Sequence, residues 1–303
     1  MDAISFALEI LKTNIPYARL SYNVPMKDHT SFKIGGPVRA MLFPKTADEV
    51  EYMFNLLQES GASPLIIGNG TNLLVSEEPQ DLVVINMLGL CDIEQTGEYE
   101  ITAQTGVLLS KLAVFACERN MAGLEFAHGI PGSLGGAICM NAGAYGGQMS
   151  DVVSRTQMLN PIDGKVTVIG DEHDFSYRSS RFAKGDELIL SSVIKLRHGE
   201  ASEIKAEMDG LFNRRRESQP LSLPSAGSTF KRPANGYAGT MIDKAGLKGY
   251  TVGGAQVSEK HAGFVVNCGG ATFSDVMAVI EHVRETVFKQ FGIELELEVK
   301  VIS

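Results

Sequence analysis

Apolar residues recur along the chain with two periods, and the longer period predicts the helices. Near the N-terminus, the apolar side chains at 4, 7, 8 and 11 fall on one face of a helix. Thr46-Ala-Asp-Glu49 is a capping box, and the apolar face behind it predicts a helix that stops at Gly61. The same spacing predicts further helices at 107–119, 202–216 and 274–290, the last ending at Gly292.

The shorter period and compact apolar runs predict strands. Runs at 64–67 and 82–85 are typical of buried strands, and the segments that begin at Tyr99 and Glu187 also have strand character. Over 293–301, apolar residues alternate with Glu or Lys, which predicts a half-buried strand with one polar face. The mixture predicts the α+β class, in two or three modules because 303 residues exceed one compact core of the commonest size.

Composition disfavours several classes of protein. A hydrophobic content of 44% and a charged content of 21% describe an ordinary globular chain, and the net charge of −9 disfavours nucleic acids and anionic membranes as partners. No apolar run approaches the roughly 20 residues that cross a bilayer, and no basic segment precedes an N-terminal apolar one. The four cysteines and six histidines have no metal-ligand spacing. We therefore expect a reduced, cytoplasmic protein without membrane insertion, signal peptide or metal.

The loop Gly68-Asn-Gly-Thr-Asn72 directly follows a predicted strand, where a dinucleotide-binding turn could lie. It lacks the third glycine and the following helix of a Rossmann fingerprint. Taken alone, a plain tight turn is the simpler interpretation. The functional interpretation is a nest of backbone N–H groups with small side chains, which can approach a pyrophosphate closely.

A denser glycine segment runs from His128 to Gly147 and holds seven glycines within twenty residues. Glycines can mark bulges and tight packing, but each one carries an entropic cost on folding. We therefore interpret this density as close approach of the backbone to a large flat ligand.

A specific resemblance to known proteins lies in three segments of the sequence. These are Thr30-Ser-Phe-Lys-Ile-Gly-Gly36, Gly68–Asn72, and Gly129–Gly132 with Asn141–Gly146. In sequence and in order they resemble the FAD-binding segments of the UDP-N-acetylenolpyruvoylglucosamine reductases, which are flavoproteins of the vanillyl-alcohol-oxidase type. The resemblance runs from about Thr30 to the C-terminus. It implies a two-part FAD-binding region of that type and a C-terminal α/β substrate domain, with non-covalent FAD and with NADPH as the reductant.

The resemblance also implies which residues bind the cofactor. The pyrophosphate of FAD would lie on Gly68, Asn69, Gly70, Thr71 and Asn72. The flavin would be lined by Ile130, Pro131, Gly132, Gly136, Asn141 and Gly143.

The family reduces the enolpyruvyl ether of UDP-N-acetylglucosamine enolpyruvate to UDP-N-acetylmuramate for peptidoglycan synthesis. Hydride addition at C3 leaves an enolate conjugated with the carboxylate, so the reaction needs a cation at the carboxylate and a proton donor for C2. By the resemblance, Arg178 binds the carboxylate, Ser228 donates the proton and Glu298 is the third catalytic residue. From the residues alone each has an ordinary surface or turn interpretation, and the alternation does not choose among the glutamates at 294, 296 and 298.

Four further residues are implied as substrate contacts: Tyr145, Gln219, Lys231 and Lys248. One subtype of the family carries an extra substrate-gating loop, with additional sequence before the serine loop and beyond the position of Ser303. This chain resembles the shorter subtype, so the gating tyrosine cannot be assigned.

We predict three modules: an FAD-binding part at 1–84, a second FAD-binding part at 85–196, and a substrate-binding domain at 197–303. Two other functions remain open at this point. A related flavin-dependent oxidase of a hydroxylated small molecule would need no C2 proton donor, and a non-catalytic sensor of nucleotide sugars would lose no rate on substitution of Arg178 or Ser228.

Overall fold

The computed structural model describes residues 2–14 and 19–303, which form a mixed set of helices and strands, as the α+β prediction requires. Within those residues the α-helices are Ala3–Asn14, Ala47–Glu59, Leu109–Cys117, Leu134–Cys139, Ala201–Ser218, Ala238–Lys244 and Phe273–Phe291.

The two largest sheets among the described residues have four and five strands. A four-stranded sheet has the spatial order Arg19–Pro25, Pro37–Phe43, Gln80–Asn86, Leu65–Ile67, and its last two strands are parallel. A five-stranded antiparallel sheet has the order Gly164–Ile169, Val153–Asn160, Leu188–Lys195, Glu100–Gln104, Ile93–Gly97.

The other strands are short. Thr251–Val252, Ala255–Val257 and Val265–Asn267 form a three-stranded antiparallel sheet. The remaining pairs are Leu73–Val75 with Lys300–Ile302, Gly143–Ala144 with Gly147–Gln148, and Met121–Ala122 with Arg197–His198.

The chain divides into two compact units, and it passes between them several times. The first unit comprises Met1–Tyr22, Arg39–Asn69 and Leu82–Asn213. The second comprises Asn23–Val38, Gly70–Asp81 and Arg214–Ser303. One crossing falls inside the loop Gly68–Asn72, which therefore contributes residues to both units. The division into three modules at 84 and 196 stays a prediction.

The first unit has two apolar cores. One gathers the helices Leu109–Cys117 and Leu134–Cys139 with the five-stranded sheet, through residues such as Leu112, Ile138 and Ile194. The other joins the N-terminal helix to the helix Ala47–Glu59 and to inward residues of the four-stranded sheet. The second unit has its own core, in which the long helix Phe273–Phe291 packs on the three-stranded sheet.

The capping residues that the sequence predicted lie at the ends of the observed helices. The Thr46 hydroxyl accepts a hydrogen bond from Glu49 N at 3.2 Å, as the capping box predicted. The Glu49 carboxylate accepts from Lys45 N at 2.7 Å, one residue before the expected partner. At the other end of the chain, Gly292 ends the last helix with a φ of +68°.

The continuous strand predicted over 293–301 is wrong. Burial does alternate there, with Leu295 and Val299 buried, but only Lys300–Ile302 forms a strand. The preceding backbone bonds to a loop instead, because Lys231 N donates to Glu296 O and Glu298 N donates to Thr229 O. Alternation reported which side chains are buried, whereas the hydrogen-bond partners depended on a distant part of the chain.

Candidate functional site

Within the first unit, the two predicted cofactor segments lie against each other. A Cβ built on Gly68 would stand 1.9 Å from Ser133 Oγ, and Asn69 Nδ2 donates to Pro131 O at 2.6 Å. The end of the strand Leu65–Ile67 is therefore in direct contact with the start of the dense glycine segment. Ser133, which the sequence did not single out, is buried at this junction.

The rest of the first glycine loop belongs to the second unit. Gly70 has a φ of +61°, and a Cβ there would lie 2.0 Å from His29 O, so this position requires glycine. Asn72 Nδ2 donates to Glu298 O at 2.9 Å, and Asn72 O accepts from Lys300 N at 2.9 Å. The side chain of Asn72 thus holds the backbone of the predicted catalytic Glu298.

The glycines of the dense segment differ in what surrounds them. Internal packing explains Gly135, Gly143 and Gly147, since a Cβ on these residues would stand 1.9 Å, 2.7 Å and 2.6 Å from neighbouring atoms. Internal packing therefore accounts for part of the glycine density, and the close approach of a flat ligand stays a prediction. Gly136 differs, because it is exposed on the helix Leu134–Cys139 and its nearest neighbour for a Cβ is Ser133 Oγ at 3.6 Å.

Asn141 and Tyr145 follow that helix, and both have a left-handed backbone, with φ of +41° and +56°. Asn141 is 4% exposed. Its Oδ1 accepts from Ser150 N at 2.9 Å and its Nδ2 donates to Ser176 O at 3.1 Å. The Tyr145 side chain is exposed.

Arg178 lies in a tight turn between Ser176 and Ser179. The backbone N–H of each of these serines donates a hydrogen bond to the carbonyl of the other. Its φ is +56°, and its guanidinium carbon lies 5.2 Å from the centre of the exposed Tyr177 ring. The preceding residues are anchored by His173, whose ring is fully buried, with Nδ1 2.8 Å from Gly170 O and Nε2 2.9 Å from Thr156 Oγ1. Burial lowers the pKa of His173, so the ring favours its neutral form.

In the second unit, the structure brings the segments of Ser228 and Glu298 together. Ser228 is half-buried in the loop after Gly227, whose φ is +76°. Its neighbour Thr229 accepts at its carbonyl from Glu298 N at 2.9 Å. Of the three alternating glutamates, Glu298 is half-buried while the other two are exposed, which distinguishes it where sequence alternation could not.

The serine loop also contacts a residue that the sequence did not indicate. Thr229 N donates to Gly263 O at 2.9 Å, and Gly263 N donates to His261 Nδ1 at 3.2 Å. The bond to Nδ1 leaves the ring proton of neutral His261 on Nε2. Burial, reinforced by the charge of Lys248, lowers the pKa of His261. A lone histidine without a motif gave no signal for this position.

The other predicted substrate contacts lie on the second unit with different partners. Lys231 Nζ is 3.2 Å from the Glu296 carboxylate, and Lys248 Nζ is 2.9 Å from the Asp243 carboxylate. Both are partly exposed ion pairs, which an anionic ligand can exchange at little cost. The buried Oε1 of Gln219 accepts no hydrogen bond from any residue that the structure describes.

The described residues contain neither a cluster of metal ligands nor a membrane-spanning helix. Over 2–14 and 19–303, no group of three or more His, Cys, Asp or Glu side chains is placed to hold a metal ion. Within the same ranges, no helix is both long enough and apolar enough to cross a bilayer.

Comparison with known proteins gives consistent matches along the chain. The family model for an FAD-binding domain matches residues 38–170, and the model for the C-terminal domain of UDP-N-acetylenolpyruvoylglucosamine reductase matches 219–302. The chain is 46% identical to the UDP-N-acetylenolpyruvoylglucosamine reductase of Caldanaerobacter subterraneus subsp. tengcongensis, over 97% of each chain. It is 42% identical to the enzyme of that name from Syntrophomonas wolfei, over 95% of this chain and 97% of the relative.

A solved structure agrees with these matches. The crystal structure of UDP-N-acetylenolpyruvylglucosamine reductase from Thermus caldophilus superimposes with a TM-score of 0.82 at 31% identity, over 95% of this chain and 100% of that one. The matches confirm the predicted fold class, an FAD-binding region together with a C-terminal domain of the reductase family.

Proposed function

The chain belongs to the UDP-N-acetylenolpyruvoylglucosamine reductase family, and from this we propose that it reduces UDP-N-acetylglucosamine enolpyruvate to UDP-N-acetylmuramate. It does so with FAD as cofactor and NADPH as reductant, as a cytoplasmic step in the synthesis of peptidoglycan precursors. The observation that carries the proposal is the hydrogen bond of 2.9 Å between Glu298 N and Thr229 O, which sets the segments of the proton donor and of the catalytic carboxylate side by side.

The residues of the first unit fit a flat cofactor. Gly136 is an exposed helical glycine, and the atom nearest to an added Cβ would be Ser133 Oγ at 3.6 Å, so a ring system can approach the backbone there. The Ser133 side chain occupies the space where a Cβ on Gly68 would stand, so the two glycine segments can lie this close only because residue 68 is glycine. We assign the pyrophosphate to Gly68–Asn72 and the flavin to Ile130–Gly132, Gly136, Asn141 and Gly143. Because the side-chain amides of Asn72 and Asn141 bond to the protein, these two residues would meet FAD through their backbone.

FAD held by these residues would supply the hydride chemistry, with NADPH as the source of the hydride that adds to C3 of the enolpyruvyl group. The protein must then stabilise negative charge at the carboxylate and deliver one proton to C2. Arg178 binds the carboxylate, because a guanidinium stays charged and can donate to both oxygens at once.

Ser228 donates the proton to C2, which completes the saturated lactyl ether. A serine hydroxyl is a weak acid, so it acts only within a supporting set of hydrogen bonds. A neighbouring cation or a chain of water molecules would supply that support. Glu298 acts on the substrate instead, by hydrogen bonding to its enolic form. The bond from Asn72 to Glu298 O fixes the backbone that presents this carboxyl group.

Lys231 and Lys248 bind the uridine diphosphate by exchanging their present carboxylate partners for phosphate oxygens, while Gln219 and Tyr145 complete the substrate contacts. The parts 1–84 and 85–196 hold FAD, and 197–303 forms the substrate domain. The family membership does not favour a flavin oxidase or a non-catalytic sensor.

The test measures NADPH oxidation with and without UDP-N-acetylglucosamine enolpyruvate, in the wild type and in Arg178→Ala, Ser228→Ala and Glu298→Gln. Each substitution should lower kcat by at least ~10²-fold, the usual contribution of one general acid or charge-stabilising group. FAD content should stay at the wild-type level. Ser222→Ala and Glu294→Gln are matched controls, because both side chains are exposed on neighbouring stretches of chain and have no assigned role.

A wild type that oxidises NADPH equally well without the enolpyruvyl compound would contradict the proposed reaction. Variants that keep the wild-type kcat would contradict the assigned roles while leaving the reaction intact.

A further inference from the structure

The backbone at Arg178 has a left-handed conformation that residues other than glycine and asparagine rarely adopt. Ser176 N donates to Ser179 O at 3.0 Å and Ser179 N donates to Ser176 O at 3.3 Å, so Tyr177 and Arg178 are the two central residues of a turn. Arg178 occupies the second central position with a φ of +56°, where glycine or asparagine is usual. For other residues this conformation is disfavoured, because it brings Cβ too close to the following carbonyl oxygen. Strain of this kind persists where the surroundings enforce it, and it clusters at functional sites.

Asn141 holds the turn from one side. Its Nδ2 donates to Ser176 O at 3.1 Å, the same carbonyl that accepts from Ser179 N. Its Oδ1 accepts from Ser150 N at 2.9 Å, so both ends of the amide are fixed. At 4% exposure, this amide has little room for another orientation.

Ser180, which directly follows the turn, is its second anchor. Its hydroxyl donates to Cys139 O at 2.9 Å, and the residue is 5% exposed. Cys139 is the last residue of the helix Leu134–Cys139, and Asn141 follows two residues later. Both anchors therefore tie the turn to the end of the helix that presents the exposed Gly136.

We infer that Asn141 and Ser180 are positioning residues that hold the turn so that the Arg178 guanidinium is fixed for the substrate carboxylate. This inference rests on the proposed function, in which Arg178 binds that carboxylate. Without the anchors the turn can relax from its left-handed conformation, and the guanidinium loses its defined position. The binding affinity should then fall for ligands that carry the carboxylate and stay the same for ligands that lack it.

The test compares the binding of two nucleotide sugars to the FAD-loaded protein by calorimetry. UDP-N-acetylmuramate carries the lactyl carboxylate, and UDP-N-acetylglucosamine lacks it. Asn141→Gly removes the amide but keeps a residue suited to a φ of +41°. Ser180→Ala removes the second anchor with a smaller change, in case the first variant folds poorly.

We expect each variant to bind UDP-N-acetylmuramate at least ~10-fold more weakly, an energy of ~1.4 kcal/mol, with less than twofold change for UDP-N-acetylglucosamine. Ser154→Ala is the control, since its hydroxyl also donates to a main-chain carbonyl, Val193 O at 3.1 Å, but does not touch the turn. It should bind both ligands like the wild type.

A double-mutant cycle separates positioning from general damage. In an Arg178→Ala background, Asn141→Gly should cause no further loss of UDP-N-acetylmuramate affinity, because the group it positions is gone. An equal loss for both ligands, a loss that persists in the Arg178→Ala background, or a loss explained by lower FAD content would each overturn the inference. A wild type without enolpyruvyl-dependent NADPH oxidation would instead contradict the proposed function, which the same preparation reports directly.

Discussion

Replacing Gly136 by alanine should separate stability from cofactor binding. Gly136 is a helical residue, and the added Cβ would lie 3.6 Å from Ser133 Oγ, an ordinary contact. Alanine is favoured over glycine within a helix by roughly 0.5–1 kcal/mol. The apoprotein should therefore become slightly more stable. If the flavin lies against this exposed backbone, the new methyl group occupies its place, and the affinity for FAD should fall at least ~10-fold, or ~1.4 kcal/mol.

The assay is denaturant unfolding of the apoprotein together with FAD titration. Gly210→Ala is the matched control, because Gly210 is also exposed on a helix, Ala201–Ser218, and has no atom within 4 Å of its added Cβ. That variant should gain similar stability and keep the wild-type affinity for FAD. An unchanged FAD affinity in Gly136→Ala would refute the assignment of the flavin to this helix, and a destabilised apoprotein would refute the packing argument.

Three further predictions concern packing and charge. Gly68→Ala should destabilise the protein by about 1–3 kcal/mol, because its Cβ would stand 1.9 Å from Ser133 Oγ. Adding Ser133→Ala should restore most of the lost free energy of unfolding, measured with denaturant. Fully additive effects of the two substitutions would contradict this contact. The pKa of buried His173 lies below its ordinary value of 6.5, so the unfolded state binds more protons and the free energy of unfolding should fall as the pH drops through about 6.5. In His173→Gln this fall, measured from about pH 7.5 to about pH 5.5, should be shallower. An unchanged slope would contradict the prediction. Arg181 donates two hydrogen bonds to Glu187, at 2.8 Å and 2.7 Å, so Arg181→Ala should lower the free energy of unfolding by about 2 kcal/mol. Lys205 lies in an exposed ion pair with Asp209, so Lys205→Ala should lower it much less, and equal losses would contradict the distinction.

Features governed by neighbouring residues were predictable from the sequence. The helix Ala47–Glu59 begins after Thr46 and the helix Phe273–Phe291 ends at Gly292, because a cap acts within a few residues of its own position. The resemblance to the reductase family also supplied the fold class and the reaction.

Features governed by distant contacts were not predictable. The pattern cannot tell that Gly135 packs against Thr105 while Gly136 faces outward, although the two are adjacent. Nor does it show that Asn141 ties its amide to Ser176, 35 residues away. Each of these facts depends on which remote segment lies opposite, and the local sequence carries no record of that segment.

The most direct test of the central claim is NADPH oxidation by the FAD-loaded protein in the absence of oxygen. Without the enolpyruvyl compound we predict oxidation of at most one NADPH for each bound FAD. After UDP-N-acetylglucosamine enolpyruvate is added, we predict continued turnover, with one mole of UDP-N-acetylmuramate formed for each further mole of NADPH consumed. Oxidation that still stops at one NADPH per FAD after this addition, and continues only when oxygen is admitted, would contradict the account.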